Sequence, residues 1–163
     1  MEKDNYRDGK HIASTNKSKE ILYDLNNGVF LKLLVLESVY PPREDSKMLV
    51  DCINNLNYQK GKAVEIGCGT GLASIILAKN GWKVDAFDIN PYAVISTVEN
   101  ISRASVEHSI TVNEGGLGEK DFNISEDTEL IVWNLPYLTP PRDNEPRLEW
   151  IEEASMSDLN GEG

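Results

Sequence analysis

Two cysteines and two histidines are all that the 163-residue chain offers a soft metal ion. Cys52 and Cys68 stand at no metal-like spacing from His11 or His108, so no metal site is expected. Cys52 falls on a helical apolar stripe and Cys68 inside a glycine-rich turn, and both read as packing residues. A chain of this length does not need a disulfide, and so few thiols fit a reducing compartment. Long apolar runs and a signal-peptide pattern are also lacking, which predicts a soluble cytoplasmic protein without membrane contact. No internal repeat is visible.

Basic residues are scarce in one part only. Residues 1–113 carry 14 acidic and 13 basic side chains, whereas residues 114–163 carry 13 and 3. Nearly all of the net charge of −11 therefore sits in the last third of the chain. Such a segment repels a phosphate backbone, and without a basic stripe nucleic acid is a disfavoured partner.

What is present centres on Ala63-Val64-Glu65-Ile66-Gly67-Cys68-Gly69-Thr70-Gly71, an apolar strand running into a glycine turn. Leu72 to Asn80 read as a buried helix, with Gly81 where a left-handed cap is wanted. A dinucleotide fingerprint needs its third glycine at position 72, which is Leu72. The pattern G-x-G-x-G points instead to S-adenosylmethionine, whose methionine end lies over such a turn. Two further signals follow. Asp88 closes a second apolar strand, Trp82 to Phe87, where an acid accepts ribose hydroxyls. Asn134-Leu135-Pro136-Tyr137 follows a later apolar run, Leu130 to Trp133. Three signals in order, each at a strand end, resemble a class I, Rossmann-like methyltransferase.

The rest of the chain is arranged around these. Residues 1–20 are polar and read as a mobile arm. Residues 21–37 read as a hairpin or covering strand: Ile21 to Leu25 and Val29 to Leu33 flank Asn26-Asn27-Gly28, and the apolar run continues to Leu36. Residues 38–163 form the expected methyltransferase domain. In it, Asp45 or Ser46 caps a helix whose stripe is Met48, Leu49, Cys52, Ile53 and Leu56. Asn90 and Pro91 start another, with Ala93, Val94, Thr97, Val98 and Ile101 toward the sheet. Ser109 to Val112 form a short strand, and Leu148 to Met156 a last acidic helix. Four strands alternating with helices imply an α/β fold, a parallel sheet of order 3-2-1-4 with the ligand beyond the strand ends. A complete sheet of this class has about seven strands, so the domain is expected to be C-terminally incomplete. Its fourth strand would keep an open edge, paired in an oligomer or by the hairpin.

A narrower resemblance rests on Val39-Tyr40-Pro41-Pro42-Arg43-Glu44-Asp45-Ser46, the glycine turn, Asp88-Ile89-Asn90-Pro91-Tyr92-Ala93 and Asn134-Leu135-Pro136-Tyr137-Leu138-Thr139-Pro140-Pro141. Together they resemble the HemK-related glutamine methyltransferases, most strongly the archaeal and eukaryotic branch. That branch modifies the glutamine of the Gly-Gly-Gln motif in class 1 translation termination factors. The resemblance implies that Tyr40, Pro42, Asp45 and Ser46 line the cofactor site. Glu65, Gly67, Cys68, Gly69 and Gly71 would take its amino-acid end, Asp88 and Ile89 its ribose side, and Glu114 and Leu117 its adenine side. Asn134, Leu135, Pro136 and Tyr137 would hold the amide to be methylated, with Asn134 also bordering the cofactor. Two positions depart from the family pattern. Leu135 replaces the first proline of Asn-Pro-Pro-Tyr, a form shared with ribosomal RNA adenine dimethyltransferases, and Gly115-Gly116-Leu117 replaces Gly-Asp-Leu. The resemblance also implies a small zinc-binding activator subunit over an apolar sheet edge, at the uncovered third strand. The competing expectations are an N6-adenine methyltransferase of RNA or DNA and an inactive, truncated binding module.

Overall fold

The computed structural model describes residues 17–25, 28–119 and 122–134. Its elements are β1 (Ser18–Asp24), β2 (Phe30–Leu36), α1 (Glu44–Asn54), β3 (Lys62–Ile66), α2 (Leu72–Lys79), β4 (Lys83–Asp88), α3 (Pro91–Arg103), β5 (Ile110–Glu114) and β6 (Thr128–Trp133). The last four strands form one sheet of order β5-β4-β3-β6, parallel at every junction. This is the expected order 3-2-1-4.

Central β3 explains why the sheet forms here. Ala63 and Val64 are fully buried and Ile66 nearly so, as the inner strand of a two-sided parallel sheet requires. Helix α2 is buried almost all round, from Leu72 to Leu77, which suits its continuous apolar sequence. Helix α3 is the amphipathic one. Asn90 caps it by accepting from the Tyr92 N–H at 3.0 Å, and Pro91 opens its first turn. Ala93, Val94, Thr97 and Ile101 face inward as expected. Val98 does not, being 38% exposed, because Ser96 and Asn100 occupy the inner face beside Thr97.

Three expectations about the N-terminal part need correction. Ser18 to Glu20, expected in the arm, belong to β1; residues 1–16 lie outside the described residues. Helix α1 starts at Glu44 with Arg43 as its cap residue, not Asp45 or Ser46. Ser46 instead sits in the first turn and its hydroxyl accepts from the Arg43 N–H at 3.3 Å. The helix packs through Leu49, Val50 and Ile53, which leaves Met48 and Cys52 on its solvent side. Cys52 is thus not a packing residue, whereas Cys68 is.

The hairpin forms its own two-stranded sheet, from Ser18↔Leu36 to Asp24↔Phe30, and does not pair with β6. An isolated hairpin is marginal in water. Side chains of α3 hold this one. Asn100 Oδ1 accepts from the Leu34 N–H at 2.7 Å, while Asn100 Nδ2 and Ser96 Oγ donate to the Leu34 carbonyl at 2.9 and 2.6 Å. Arg103 adds an ion pair to Glu20 at 2.8 Å. The polar face of α3 thus does for β2 what a further strand would do. Among the described residues, β5 and β6 are the edges of the four-stranded sheet. The expected helix at Leu148 to Met156 lies outside them. No helix among them is long and apolar enough to cross a membrane.

Candidate cofactor and acceptor site

Strand register brings the expected site residues to one edge of the sheet. Ile66 pairs with Phe87 on one side and Trp133 on the other, so Gly67, Asp88 and Asn134 follow at the same level. Asp88 in turn pairs with Glu114. The three glycines all have positive φ: 71° at Gly67, 55° at Gly69 and 74° at Gly71. Their surroundings differ. A Cβ at Gly71 would meet Thr97 Cγ2 at 2.7 Å, so this glycine is needed for packing. A Cβ at Gly67 or Gly69 would meet nothing within 4 Å, so these two border open space.

The turn is fixed from below and from the side. Thr97 Oγ1 lies 3.1 Å from the Gly69 carbonyl, and Asn100 Nδ2 donates to the Thr70 carbonyl at 2.9 Å. Beside it, Asp88 accepts from the Gly69 N–H at 2.8 Å through Oδ2 and from the Asn90 N–H at 2.9 Å through Oδ1. Each oxygen keeps a lone pair for a further donor. Burial raises the Asp88 pKa, and the two backbone bonds oppose that rise.

Glu65 is placed behind the turn. It is 5% exposed, and its Oε2 accepts from the Ser74 N–H at 2.8 Å and from the Ser74 hydroxyl. Burial pushes its pKa up to about 8, against the Ser74 bonds and with help from the Asp88 charge. Burial also pushes up the Cys68 thiol, which the Thr97 hydroxyl approaches at 3.3 Å. Cys68 is therefore a poor nucleophile.

Ile89 is 70% exposed and Leu117 53% exposed just past the ends of β4 and β5. These are apolar surfaces of the kind that a heterocycle covers. A Cβ on Gly116 would meet Ile89 Cγ2 at 2.9 Å, so a side chain at that position would require the exposed Ile89 to shift. Glu114 is exposed at the end of β5.

The expected loop residues divide. Asp45 Oδ2 accepts from Asn134 Nδ2 at 2.8 Å, which joins the start of α1 to the end of β6. Tyr40 is half-buried under the Arg43 guanidinium, 5.1 Å from its ring centre. Both line a cavity of about 350 Å³ on the hairpin side, whose walls include neither the glycine turn nor Asp88 nor Asn134. Pro42 and Ser46 are half-buried nearby. Leu135, Pro136 and Tyr137 lie outside the described residues. Sequence reasoning did not single out Ser74, Ser96 or Asn100; their signal was a polar side chain on an inner helix face. No cluster that could hold a metal ion occurs among the described residues.

The open space over Gly67 and Gly69, the spare acceptor capacity of Asp88 and the apolar surfaces of Ile89 and Leu117 fit S-adenosylmethionine. Fold and site thus define a Rossmann-like, S-adenosylmethionine-dependent methyltransferase domain. More narrowly, the chain belongs to the methyltransferase small domain family, whose family model matches residues 42–160.

Individual relatives differ in their targets. The chain is 42% identical over 115 residues to a protein of Methanocaldococcus jannaschii provisionally named a protein N5-glutamine methyltransferase, covering 69% of this chain and 54% of the relative. It is 33% identical over 112 residues to the release factor glutamine methyltransferase of Dictyoglomus turgidum, covering 66% and 40%. It is 30% identical over 96 residues to the ribosomal RNA small subunit methyltransferase C of Alcanivorax borkumensis, covering 58% and 28%. The chain thus spans about half, or less, of the length of these relatives. Among solved structures, Trm5b from Pyrococcus abyssi superposes with a TM-score of 0.56 at 28% identity, covering 72% of this chain and 33% of that one.

Proposed function

We propose that this chain carries the core of a protein glutamine N5-methyltransferase acting on the Gly-Gly-Gln glutamine of a class 1 termination factor. The observation that carries it is Asn134, held level with Gly67 at the end of β6 and followed by Leu-Pro-Tyr. The 42% identity to a protein provisionally named a protein N5-glutamine methyltransferase supports glutamine as the acceptor.

When bound, the cofactor supplies a methyl group activated on a sulfonium. The protein's work is to orient the acceptor. An amide nitrogen is a poor nucleophile because its lone pair is delocalised into the carbonyl. With Asn134 Nδ2 tied to Asp45, the Asn134 side-chain oxygen is left to accept from the acceptor NH2. The Leu135 carbonyl would accept the second proton, Pro136 would stiffen the turn and Tyr137 would form a flat wall, as the resemblance implies. Both acceptors favour the positive charge that grows on nitrogen in the transition state. An alkylated amide nitrogen loses its proton readily, so this chemistry needs no strong general base.

The second reading, N6-adenine methylation of RNA or DNA, is favoured by the Asn-Leu-Pro-Tyr form and by the ribosomal RNA relative. The net charge of −10 over residues 114–163 opposes it. Incubation with methyl-labelled cofactor and either a Gly-Gly-Gln domain or total RNA decides. Label on the glutamine supports the proposal, and label on RNA alone overturns it. We also assign a small zinc-binding activator to the open edge at β5. Co-expression should raise solubility or cofactor affinity, and no change in either would refute this partner.

A further inference from the structure

We propose that Asp45 is a positioning residue for methyl transfer, which sets the Asn134 carboxamide so that its oxygen, and not its NH2, faces the acceptor. This rests on the reading of the acceptor site above and revises the cofactor-lining role that the resemblance implies for Asp45.

A terminal carboxamide has two nearly isosteric faces, one accepting and one donating. A donor turned toward an acceptor NH2 would repel it, so the flip of Asn134 decides whether the site works. Asn134 is exposed at a strand end, and among the described residues its side chain hydrogen-bonds to Asp45. What chooses is Asp45, 89 positions earlier, whose Oδ2 takes the Asn134 Nδ2 at 2.8 Å. A carboxylate only accepts, so it can bond the NH2 side alone.

Asp45 is itself held. Its Oδ1 lies 3.4 Å from the Ser46 hydroxyl, and that hydroxyl also accepts from the Arg43 N–H that begins α1. Among the described residues no lysine or arginine forms an ion pair with it. Its charge reaches Tyr23 as well, and the direct bond brings it against Asn134, where it polarises the amide and makes the oxygen a better acceptor for a nitrogen that becomes positive.

Two variants separate orientation from charge. Asp45→Ala removes both, whereas Asp45→Asn can still accept from Asn134 but carries no charge. On a Gly-Gly-Gln domain, D45A should lower kcat about 10- to 100-fold, and D45N less, as for loss of one oriented hydrogen bond in an active site. The Kd for S-adenosylhomocysteine should stay within about threefold in both. A parallel loss of S-adenosylhomocysteine affinity with kcat preserved at saturation would return Asp45 to the cofactor and overturn the proposal. A second readout needs no acceptor at all. The Asn134 side-chain NH2 pair, identified by its disappearance in Asn134→Asp, should shift and exchange faster in D45A than in the wild type. An unchanged NH2 pair in D45A refutes the positioning role, whether or not any Gly-Gly-Gln domain is methylated.

Discussion

Glu65→Gln tests how the buried floor of the site is held. Burial raises the Glu65 carboxyl from its ordinary 4.5 to about 8, with Ser74 as its hydrogen-bond partner. The native state therefore keeps this proton over a pH range in which the unfolded chain has lost it. Stability from this group is fully present below pH 4.5 and is lost as pH rises through about 8. At ~1.36 kcal/mol per pH unit, the whole span corresponds to roughly 5 kcal/mol, a large share of a domain's stability. Glutamine has the shape of the protonated acid and keeps an oxygen for both Ser74 donors, but it does not ionise. Urea unfolding of both proteins at intervals from pH 5 to 9 measures the effect. They should agree within about 1 kcal/mol at pH 5, and the variant should be several kcal/mol more stable at pH 9. A wild-type stability that holds level or rises across this range, or a variant with the same slope, would refute the reasoning.

Two further perturbations separate packing from binding. Gly71→Ala should lower stability by about 1–3 kcal/mol, because its Cβ meets Thr97 at 2.7 Å in a left-handed backbone. Gly69→Ala meets nothing and should cost about 1 kcal/mol while weakening S-adenosylhomocysteine binding at least tenfold; thermal melts and calorimetry read the two effects. Asn100→Leu removes three hydrogen bonds to Leu34 and Thr70 and strands buried backbone groups, so it should cost about 3–5 kcal/mol in urea unfolding. Amide exchange should quicken first across β1 and β2.

Local chemistry was legible in the sequence. Three glycines at alternate positions sit at three positive-φ residues, Asp88 ends its strand beside them, and the alternation of strands and helices dictates the sheet order. Long-range pairing was not legible. Apolar periodicity points to Val98 and passes over Ser96 and Asn100 on the inner face of α3, and it cannot show that these two bond Leu34, more than 60 positions away. Glu65 reads as a ligand-facing acid, and the sequence does not show that Ser74, nine positions on, bonds its Oε2. Arg43 is not a residue type that marks a helix cap, so the start of α1 was misplaced by the more conventional Asp45 and Ser46. The bond between Asp45 and Asn134 joins two motifs that the sequence could only show separately.

A structure of the chain bound to S-adenosylhomocysteine tests the central claim most directly. The account predicts the amino-acid end of the ligand over Gly67 and Gly69, the ribose hydroxyls on Asp88, and the sulfur directed toward the Asn134 oxygen. A ligand seated elsewhere, such as the cavity between Tyr40 and the hairpin, or an Asn134 amide turned with its NH2 toward the sulfur, would contradict it.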